Sequence, residues 1–420
     1  MNKNHPAFAR LPKRLAISFP LWGIFGTQGA QAPAFNDLDR FVREHKERGF
    51  NCIRLDSGAG FVHDINGNRR GEVEIFPNAF GEYSEVIRQQ GEIYGKGGKC
   101  DLYKSLIELF RAAKKYDVYI ILSSWYYLHT FWFHPENDSL CEELFAIPPH
   151  ERFMAFARFL DYIINELEEQ KLDDMIAFAE IFNEADGLSF VNGYGGENGA
   201  NDEELARFRE EHEKALDYLQ KKHPQILFAF DSYTSWTDIR QVPENMQIYN
   251  FHNYYLWGIY GDILNENPQL LKGVVTEADV RKSREGLLAA KDDWYERVAI
   301  YNDVDEEKLD EFEMLLEEKL NEKFDAYLAA VDNNFEHIRE NMANFDVPVV
   351  CGEGVSYIAS KKLLWEEKSE KYWELVERAM DKYKEFGLWG TVIRTCSGPE
   401  DPSWDMCAEK LKYLNERFLK

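Results

Sequence analysis

Long apolar segments are missing from the sequence. No run approaches the roughly 18 consecutive apolar residues that a membrane-spanning helix requires, so no membrane partner or anchor is expected. The N-terminal segment carries positive charges but no apolar stretch followed by small residues, and it therefore does not read as a secretory signal peptide. We therefore expect an intracellular, cytoplasmic protein.

Basic residues and closely spaced cysteines are also scarce. The chain has 49 Lys and Arg against 75 Asp and Glu, a net charge of −26, which repels nucleic acid and anionic lipid surfaces alike. Six cysteines are scattered without the spacing typical of metal sites: Cys52, Cys100, Cys141, Cys351, Cys396 and Cys407. Reduced thiols are expected, with no metal and no cofactor, and no feature indicates an oligomeric state.

What the sequence does contain is a repeated alternation of short apolar runs and amphipathic stretches. Eight runs rich in β-branched and aromatic residues predict strands at 15–21, 51–55, 118–123, 176–182, 226–230, 247–251, 347–351 and 387–393. Apolar residues at three- and four-residue spacing predict helices at 38–48, 102–115, 152–170, 203–222 and 361–386. This pattern predicts a single α/β domain over residues 1–420, a (β/α)8 TIM barrel.

Two segments are longer than the repeat allows. Residues 57–100 follow the second predicted strand and contain a hairpin-turn signal, HDINGN at 63–68. Residues 256–346 follow the sixth strand as a helical insertion that ends in an acidic amphipathic helix or helix pair around 305–341. Both leave a strand at its carboxyl end, where barrels build active sites, so we expect them to wall a substrate cleft.

A glutamate stands at the end of the fourth predicted strand and another at the end of the seventh. These are Glu184 and Glu353. Because an ionisable group in a barrel interior costs free energy unless it is paired or hydrogen-bonded, both are candidates for function, with a structural ion pair as the alternative.

Four short motifs in the sequence resemble those of a known protein family. They are NCIRL at 51–55, EIFNE at 180–184, HNY at 252–254 and GEG at 352–354. In this order and on these strands, the sequence resembles the cellulase-like glycoside hydrolases, family 5 and its relatives in clan A. Each motif alone is unspecific, but together they span nearly the whole chain.

The resemblance implies a role for each matching residue. Glu184 would be the acid/base and Glu353 the nucleophile, while Arg54 would keep that nucleophile ionised. The substrate-binding residues would be Asn183, on the sugar 2-hydroxyl, with His252 and Tyr254 lining the cleaved subsite. Simple packing is the alternative for His252.

Physical chemistry agrees with these roles. Hydrolysis with retention needs two carboxyl groups about 5–5.5 Å apart, one protonated and one ionised. Only the fold can bring together two glutamates so distant in sequence. An arginine beside Glu353 would favour its charged form, and burial would favour the proton on Glu184.

The sequence departs from the family pattern at two strand ends. After strand 3 it reads SSWY at 123–126, which is more aromatic and less polar than usual. Strand 8 ends in Arg394 and Thr395 instead of a tryptophan; Arg394 either reaches an acidic substrate group or pairs with an acid of the protein, and we favour the pairing. Trp125 and Trp389 are candidate stacking platforms for sugar rings.

These observations predict a retaining glycosidase that cleaves β-glycosidic bonds of an intracellular oligosaccharide or glycoside by double displacement. The 15% aromatic content suits such a small carbohydrate substrate, although most of these rings must fill the core. Two alternatives stay open: a non-catalytic sugar-binding barrel, and a transglycosylase that uses the same residues.

Overall fold

The computed structural model describes most of the chain. The described residues are 5–20, 37–75, 98–124, 143, 146–186, 201–256, 258–273, 303–355, 363–395, 397–399 and 401–420. Trp125 and most of the residues between the third strand and the following helix lie outside them.

Eight parallel strands form a closed barrel, which confirms the predicted (β/α)8 architecture. The strands are β1 (Leu15–Ser18), β2 (Cys52–Asp56), β3 (Tyr119–Ser123), β4 (Ile176–Glu180), β5 (Phe228–Ser232), β6 (Ile248–Asn253), β7 (Val349–Gly354) and β8 (Gly390–Val392). Each strand pairs with the next in sequence, and β1 closes the barrel against β8, with Leu15 opposite Gly390. Every strand falls within or overlaps one of the eight predicted runs.

Helices surround the barrel. They are α1 (Leu38–Glu47), α2 (Leu102–Tyr116), α3 (Arg152–Glu169), α4 (Asp202–Lys222), α5 (Gly258–Glu266), α6 (Leu309–Asn341), α7 (Glu370–Phe386) and α8 (Ala408–Leu419). Asp37 and Asp101 cap α1 and α2 by accepting hydrogen bonds from backbone N–H groups, because their carboxylates satisfy donors that the first turn leaves unpaired. None of the described helices is long and apolar enough to cross a membrane.

The helix predicted over 361–386 is divided in two. A short helix, Trp365–Lys368, ends at Ser369, whose side chain then caps α7 by accepting a hydrogen bond from the N–H of Tyr372. A second short helix, Ser403–Met406, precedes α8. Short 3₁₀ helices lie at Pro6–Ala9, Pro149–Glu151, Asp173–Met175, Ile239–Gln241, Pro268–Leu270 and Glu306–Lys308.

The segment after β2 contains a tight turn around Asp64. The carboxylate of Asp64 accepts hydrogen bonds from the backbone N–H groups of Asn66 and Asn68 at 2.8 and 2.9 Å, and Gly67 adopts φ +84°. Further along, Glu72–Ile75 pairs antiparallel with Gly98–Asp101. Residues 76–97 lie outside the described part.

The segment after β6 is only partly an insertion. It begins with α5 and a small antiparallel pair, Leu271–Gly273 with Asp303–Val304, and residues 274–302 lie outside the described part. The long helix α6 then packs Phe335 against Phe251 of β6 and Phe386 of α7, so it occupies the place of a barrel helix between β6 and β7.

Candidate active site

A buried arginine lies at the centre of the site. Arg54 of β2 is fully buried, and its guanidinium contacts three carboxylates: Glu180 at 2.9 Å, Asp231 at 2.8 Å and Glu353 at 2.7 Å. Burial alone would lower the pKa of Arg54, but the negative charges of these neighbours raise it well above its ordinary value. Arg54 therefore remains a cation that joins four strands or strand ends.

Arg54 also orders two polar neighbours. Its Nη2 donates a 2.7 Å hydrogen bond to Oδ1 of Asn183, which fixes the orientation of that amide. Glu180 is fully buried and also accepts a 2.7 Å hydrogen bond from Asn250. Burial raises the pKa of Glu180, although the charge of Arg54 opposes the shift. The structure thus places Glu180 inside the barrel as a partner of Arg54.

Glu184 lies in a turn just after β4. Its backbone adopts φ +52°, a left-handed conformation that costs about 1–3 kcal/mol in a residue other than glycine. Its N–H donates a 3.0 Å hydrogen bond to Oδ2 of Asp231, which holds the turn. The side chain is 25% exposed; burial raises its pKa, the hydrogen bond and charge of His252 oppose this shift, and the negative charges of Glu353 and Asp231 add to it.

Glu353 of β7 is held by two donors on different strands. Arg54 donates to its Oε1, and the hydroxyl of Tyr254 donates a 2.5 Å hydrogen bond to its Oε2. Thr395 in turn donates to the Tyr254 hydroxyl at 3.4 Å and accepts from the N–H of Gly354 at 2.9 Å. Such donors suit a carboxylate anion with a fixed orientation.

His252 of β6 lies between the acidic groups. Its Nδ1 is 2.8 Å from Oε1 of Glu184, and its Nε2 is 3.2 Å from Oδ1 of Asp231 and 3.6 Å from Oε1 of Glu353. Burial would lower the pKa of His252, but the charges of Glu353 and Asp231 outweigh it and raise the pKa well above its ordinary value.

The two glutamates singled out in the sequence therefore meet. One ligand-type atom each from Glu184, His252 and Glu353 lies within 4.8 Å of the other two. Within the described part of the chain this trio is the group with spacing suited to a metal ion, but the Arg54 guanidinium already lies 2.7 Å from Glu353 and disfavours a second cation there.

Asp231 was not among the site residues predicted from the sequence. It contacts Arg54, His252 and the backbone of Glu184 and so joins three elements of the site, as Glu353 does. The available signal was the same one that identified Glu184 and Glu353, an acidic residue directly after an apolar run, here the run 226–230.

Trp389 and Arg394, which were candidates for contacting the substrate, are both buried within the protein. Trp389 precedes β8 and so lies at the amino end of the barrel, opposite the carboxylates; it is 2% exposed, and its Nε1–H donates to the carbonyl of Pro12 at 3.1 Å. Arg394 is fully buried and pairs with Glu366, Glu367 and Asp401 at 2.7–3.5 Å, so the pairing alternative holds, although with buried acids and not surface ones.

Exposed aromatic rings instead lie on the loop after β5. Tyr233 is 50% exposed and Trp236 is 59% exposed. The N–H of Tyr233 donates to Oδ1 of Asp186 at 3.0 Å, two residues after Glu184, and the indole N–H of Trp236 donates to Asn334 at 3.1 Å. Tyr233 is thus held next to the turn that carries Glu184, whereas the Trp236 ring is held against α6.

The fold and the site together define a class: a (β/α)8 barrel with paired carboxylates at the carboxyl ends of β4 and β7. No protein-family model matches the chain, and no curated protein sequence does. Among solved structures, a protein of Parabacteroides distasonis ATCC 8503 with a provisional assignment as a glycoside hydrolase is similar, with a TM-score of 0.66 and 16% identity over 97% of this chain and 94% of that one.

Two enzymes of known type are more distant matches. A family 5 broad-specificity endoglucanase of Clostridium longisporum matches with a TM-score of 0.48 and 11% identity, covering 98% of each chain. An endo-1,4-β-D-mannanase of Thermotoga petrophila matches with a TM-score of 0.45 and 11% identity, covering 90% of this chain and 87% of that one. The chain shares its (β/α)8 barrel fold with the Parabacteroides distasonis protein.

Proposed function

We propose that the protein is a retaining glycoside hydrolase that cleaves β-glycosidic bonds by double displacement. The observation that carries this proposal is the approach of Glu184 and Glu353 to within 4.8 Å in two different environments. That spacing suits an enzyme whose nucleophile attacks the sugar directly, since inverting enzymes leave about 6.5–9.5 Å for a water molecule.

In the first step the two glutamates act on opposite sides of the bond. Glu353, oriented by Arg54 and Tyr254, attacks the anomeric carbon while Glu184 donates its proton to the glycosidic oxygen. The raised pKa of Glu184, caused first by burial, favours the protonated form that this step requires.

In the second step water completes the reaction. Glu184, now ionised, takes a proton from water, and the oxygen of that water bonds to the anomeric carbon as the bond to Glu353 breaks. If a sugar hydroxyl replaces water, the same residues perform transglycosylation. No step requires a metal or cofactor.

Substrate binding involves groups on both sides of the catalytic pair. We assign to the Asn183 amide, which Arg54 orients, the binding of the sugar hydroxyl next to the anomeric carbon. Tyr233 and Trp236 offer exposed rings on the loop after β5, which is bonded to the Glu184 turn through Asp186, and sugar rings stack on such faces. We therefore propose a β-linked oligosaccharide or glycoside as substrate, with Tyr233 and Trp236 as stacking platforms in place of the buried Trp389; Trp125 lies outside the described residues and stays a candidate.

The test is a panel of aryl β-glycosides incubated with the wild-type protein, with Glu353→Gln and with the control Glu370→Gln, which changes a glutamate that is 88% exposed. We expect release of phenol from one sugar by the wild type and the control, and loss of turnover in Glu353→Gln. Proton NMR of the first-formed sugar should show the β-anomer.

Other outcomes identify the alternatives. An α-anomer as first product would rule out retention. Saturable sugar binding by calorimetry without turnover of any glycoside would indicate a binding barrel, and disaccharide products formed from added acceptor sugars would indicate transglycosylation.

A further inference from the structure

A continuous chain of contacts joins three side chains from different strands. Oε1 of Glu184 lies 2.8 Å from Nδ1 of His252, and Nε2 of the same ring lies 3.2 Å from Oδ1 of Asp231. The first contact is a hydrogen bond, whereas the second is a close contact with a carboxylate whose geometry falls outside that of a hydrogen bond; His252 and Asp231 are at most 2% exposed.

Given the proposed glycosidase function, we propose that Glu184 and His252 act as a pair that shares one proton, and that Asp231 is the positioning residue for this pair. The acid/base of the reaction is then the pair and not a single carboxyl group.

The negative charge of Asp231 favours hydrogen on the ring nitrogen closest to it. Because its Oδ1 lies 3.2 Å from Nε2, hydrogen on Nε2 is favoured, and Nδ1 is left to exchange a proton with Glu184. Burial would raise the pKa of Asp231, but the charges of His252 and Arg54 lower it, so the carboxylate stays ionised. Its Oδ2 meanwhile accepts from Arg54 and from the N–H of Glu184, which fixes both ends of the chain.

The proton count follows through both steps. The pair starts with one proton between Oε1 and Nδ1, and that proton goes to the glycosidic oxygen as the C–O bond breaks and Glu353 bonds to carbon. Two acceptors then face each other at 2.8 Å, an unfavourable contact. Taking a proton from water relieves this contact, so the pair is a stronger base in the second step than Glu184 alone.

Among the described residues, the charged and titratable groups that face the pair come from the site and from Tyr233, whose pKa is raised by burial and by the charges of Asp186 and Glu184. His252 meets Glu184, Asp231 and Glu353, the Tyr254 ring lies edge-on at 6.3 Å, and Arg54 lies behind the two acids Asp231 and Glu353. The macroscopic titration therefore belongs to the coupled pair.

The chain offers a matched control for Asp231. Glu180 also contacts Arg54, at 2.9 Å, and is also fully buried, but no contact joins it to His252 or Glu184 among those of the described residues. Asp231→Asn and Glu180→Gln each remove one negative charge from Arg54 while keeping the side-chain shape. Only the first changes the group that faces the imidazole ring.

The experiment compares these variants on a phenyl and a 2,4-dinitrophenyl β-glycoside of the preferred sugar across pH. The dinitrophenolate leaves without a proton, so acid catalysis matters for the phenyl substrate alone. For Asp231→Asn we expect kcat/KM to fall at least tenfold more on phenyl than on dinitrophenyl, roughly the lower range of acid–base contributions. The basic limb of its pH profile should move to lower pH, because removal of a negative charge weakens proton binding by the pair.

Glu180→Gln should lower kcat/KM for both substrates by the same factor and leave the basic limb of the pH profile in place. Equal losses on both substrates in Asp231→Asn, with an unmoved basic limb, would overturn the proposal and make Asp231 purely structural.

A second readout does not depend on turnover. Nitrogen-15 NMR of histidine, with the His252 signals assigned through His252→Gln, should show Nε2 protonated at all pH values of the wild type and a changed nitrogen pattern in Asp231→Asn. A wild type that turns over no glycoside would defeat the proposed function alone. An Nδ1-protonated neutral ring in the wild type would defeat the shared-proton pair.

Discussion

Nη1 of Arg54 donates a 2.7 Å hydrogen bond to Oε1 of Glu353, although 299 residues separate the two in sequence. The same guanidinium contacts Glu180 and Asp231. Arg54 therefore supplies the positive charge that lets three acidic groups share the barrel interior, and the site's stability and its chemistry depend on one side chain.

Replacing Arg54 by Met should destabilise the fold as well as abolish activity. Breaking a buried ion pair from one side costs about 3–5 kcal/mol, because the remaining charge is left unpaired. Urea denaturation should show this loss, whereas Arg417→Met, which removes an exposed pair with Asp381, should change the unfolding free energy by about 1 kcal/mol or less. Similar losses in the two variants would contradict the role assigned to Arg54.

Removal of Glu184 should produce a loss that depends on the leaving group. In Glu184→Ala we expect kcat/KM for the phenyl glycoside to fall by roughly 10²–10⁴-fold, the usual contribution of acid–base catalysis. Added azide should restore the second step by attacking the glycosyl-enzyme directly, giving a β-glycosyl azide detectable by mass spectrometry and NMR. A variant that azide does not rescue would argue against Glu184 as the acid/base.

Gly352 should not tolerate a side chain. A Cβ atom there would lie 2.6 Å from Oδ1 of Asn250, and Asn250 donates to Glu180 at 2.7 Å. We expect Gly352→Ala to lower thermal stability by overpacking, at about 1–3 kcal/mol, and to reduce activity through the Arg54 cluster. Gly261→Ala is the matched control, because nothing lies within 4 Å of its added Cβ and α5 favours alanine.

His223 should stabilise the protein most at low pH. It lies buried between Asp161 at 2.9 Å and Glu168 at 2.8 Å; burial would lower its pKa, but hydrogen bonds to these acids raise it. A raised pKa in the folded state gives stability that is complete below about 6.5, the unfolded value, and is lost as pH rises through the folded value. Denaturation of His223→Asn should thus show a larger loss at about pH 5.5 than at about pH 9.

His212 provides a comparison of opposite sign. Burial among Phe153, Phe208 and Phe230 lowers its pKa to about 3. Between this value and its ordinary pKa, His212 is protonated in the unfolded chain but neutral in the folded one. His212→Phe should therefore remove a destabilisation that grows as pH falls below about 6.5. Parallel pH dependence in the two variants would show that at least one of the two environments does not act as described.

The exposed rings after β5 should affect substrate binding more than chemistry. Tyr233→Ala and Trp236→Ala should raise KM for oligosaccharides several-fold, since stacking on an aromatic face contributes about 1 kcal/mol, while small aryl glycosides change less. Tyr413→Ala, which removes a ring that is 51% exposed on α8, should leave both KM values unchanged. Unchanged oligosaccharide kinetics in the first two variants would exclude this loop from the binding site.

The barrel could be predicted because each strand is a short apolar run with its own boundaries. Glu184 and Glu353 could be found because each follows such a run, and the strand order brings their ends together. Asp231 follows the run 226–230 in the same way but was masked by the absence of a motif around it.

Trp389 shows the limit of such reasoning. It stands at the start of the run 387–393, and a residue before a strand lies at the opposite end of the barrel from one after it. Arg394 shows another limit. Its three partners come from the short helix Trp365–Lys368 and from Asp401, and no local sequence pattern predicts that they contact Arg394.

The order of the Arg54 partners along the chain has a consequence for synthesis. The arginine leaves the ribosome first, and its three acids follow 126, 177 and 299 residues later. A nascent chain that stops before β7 therefore holds an incomplete charge cluster and an open sheet edge at β6, which are the features that recruit chaperones and promote aggregation. Final folding must then wait until nearly all of the chain has been made.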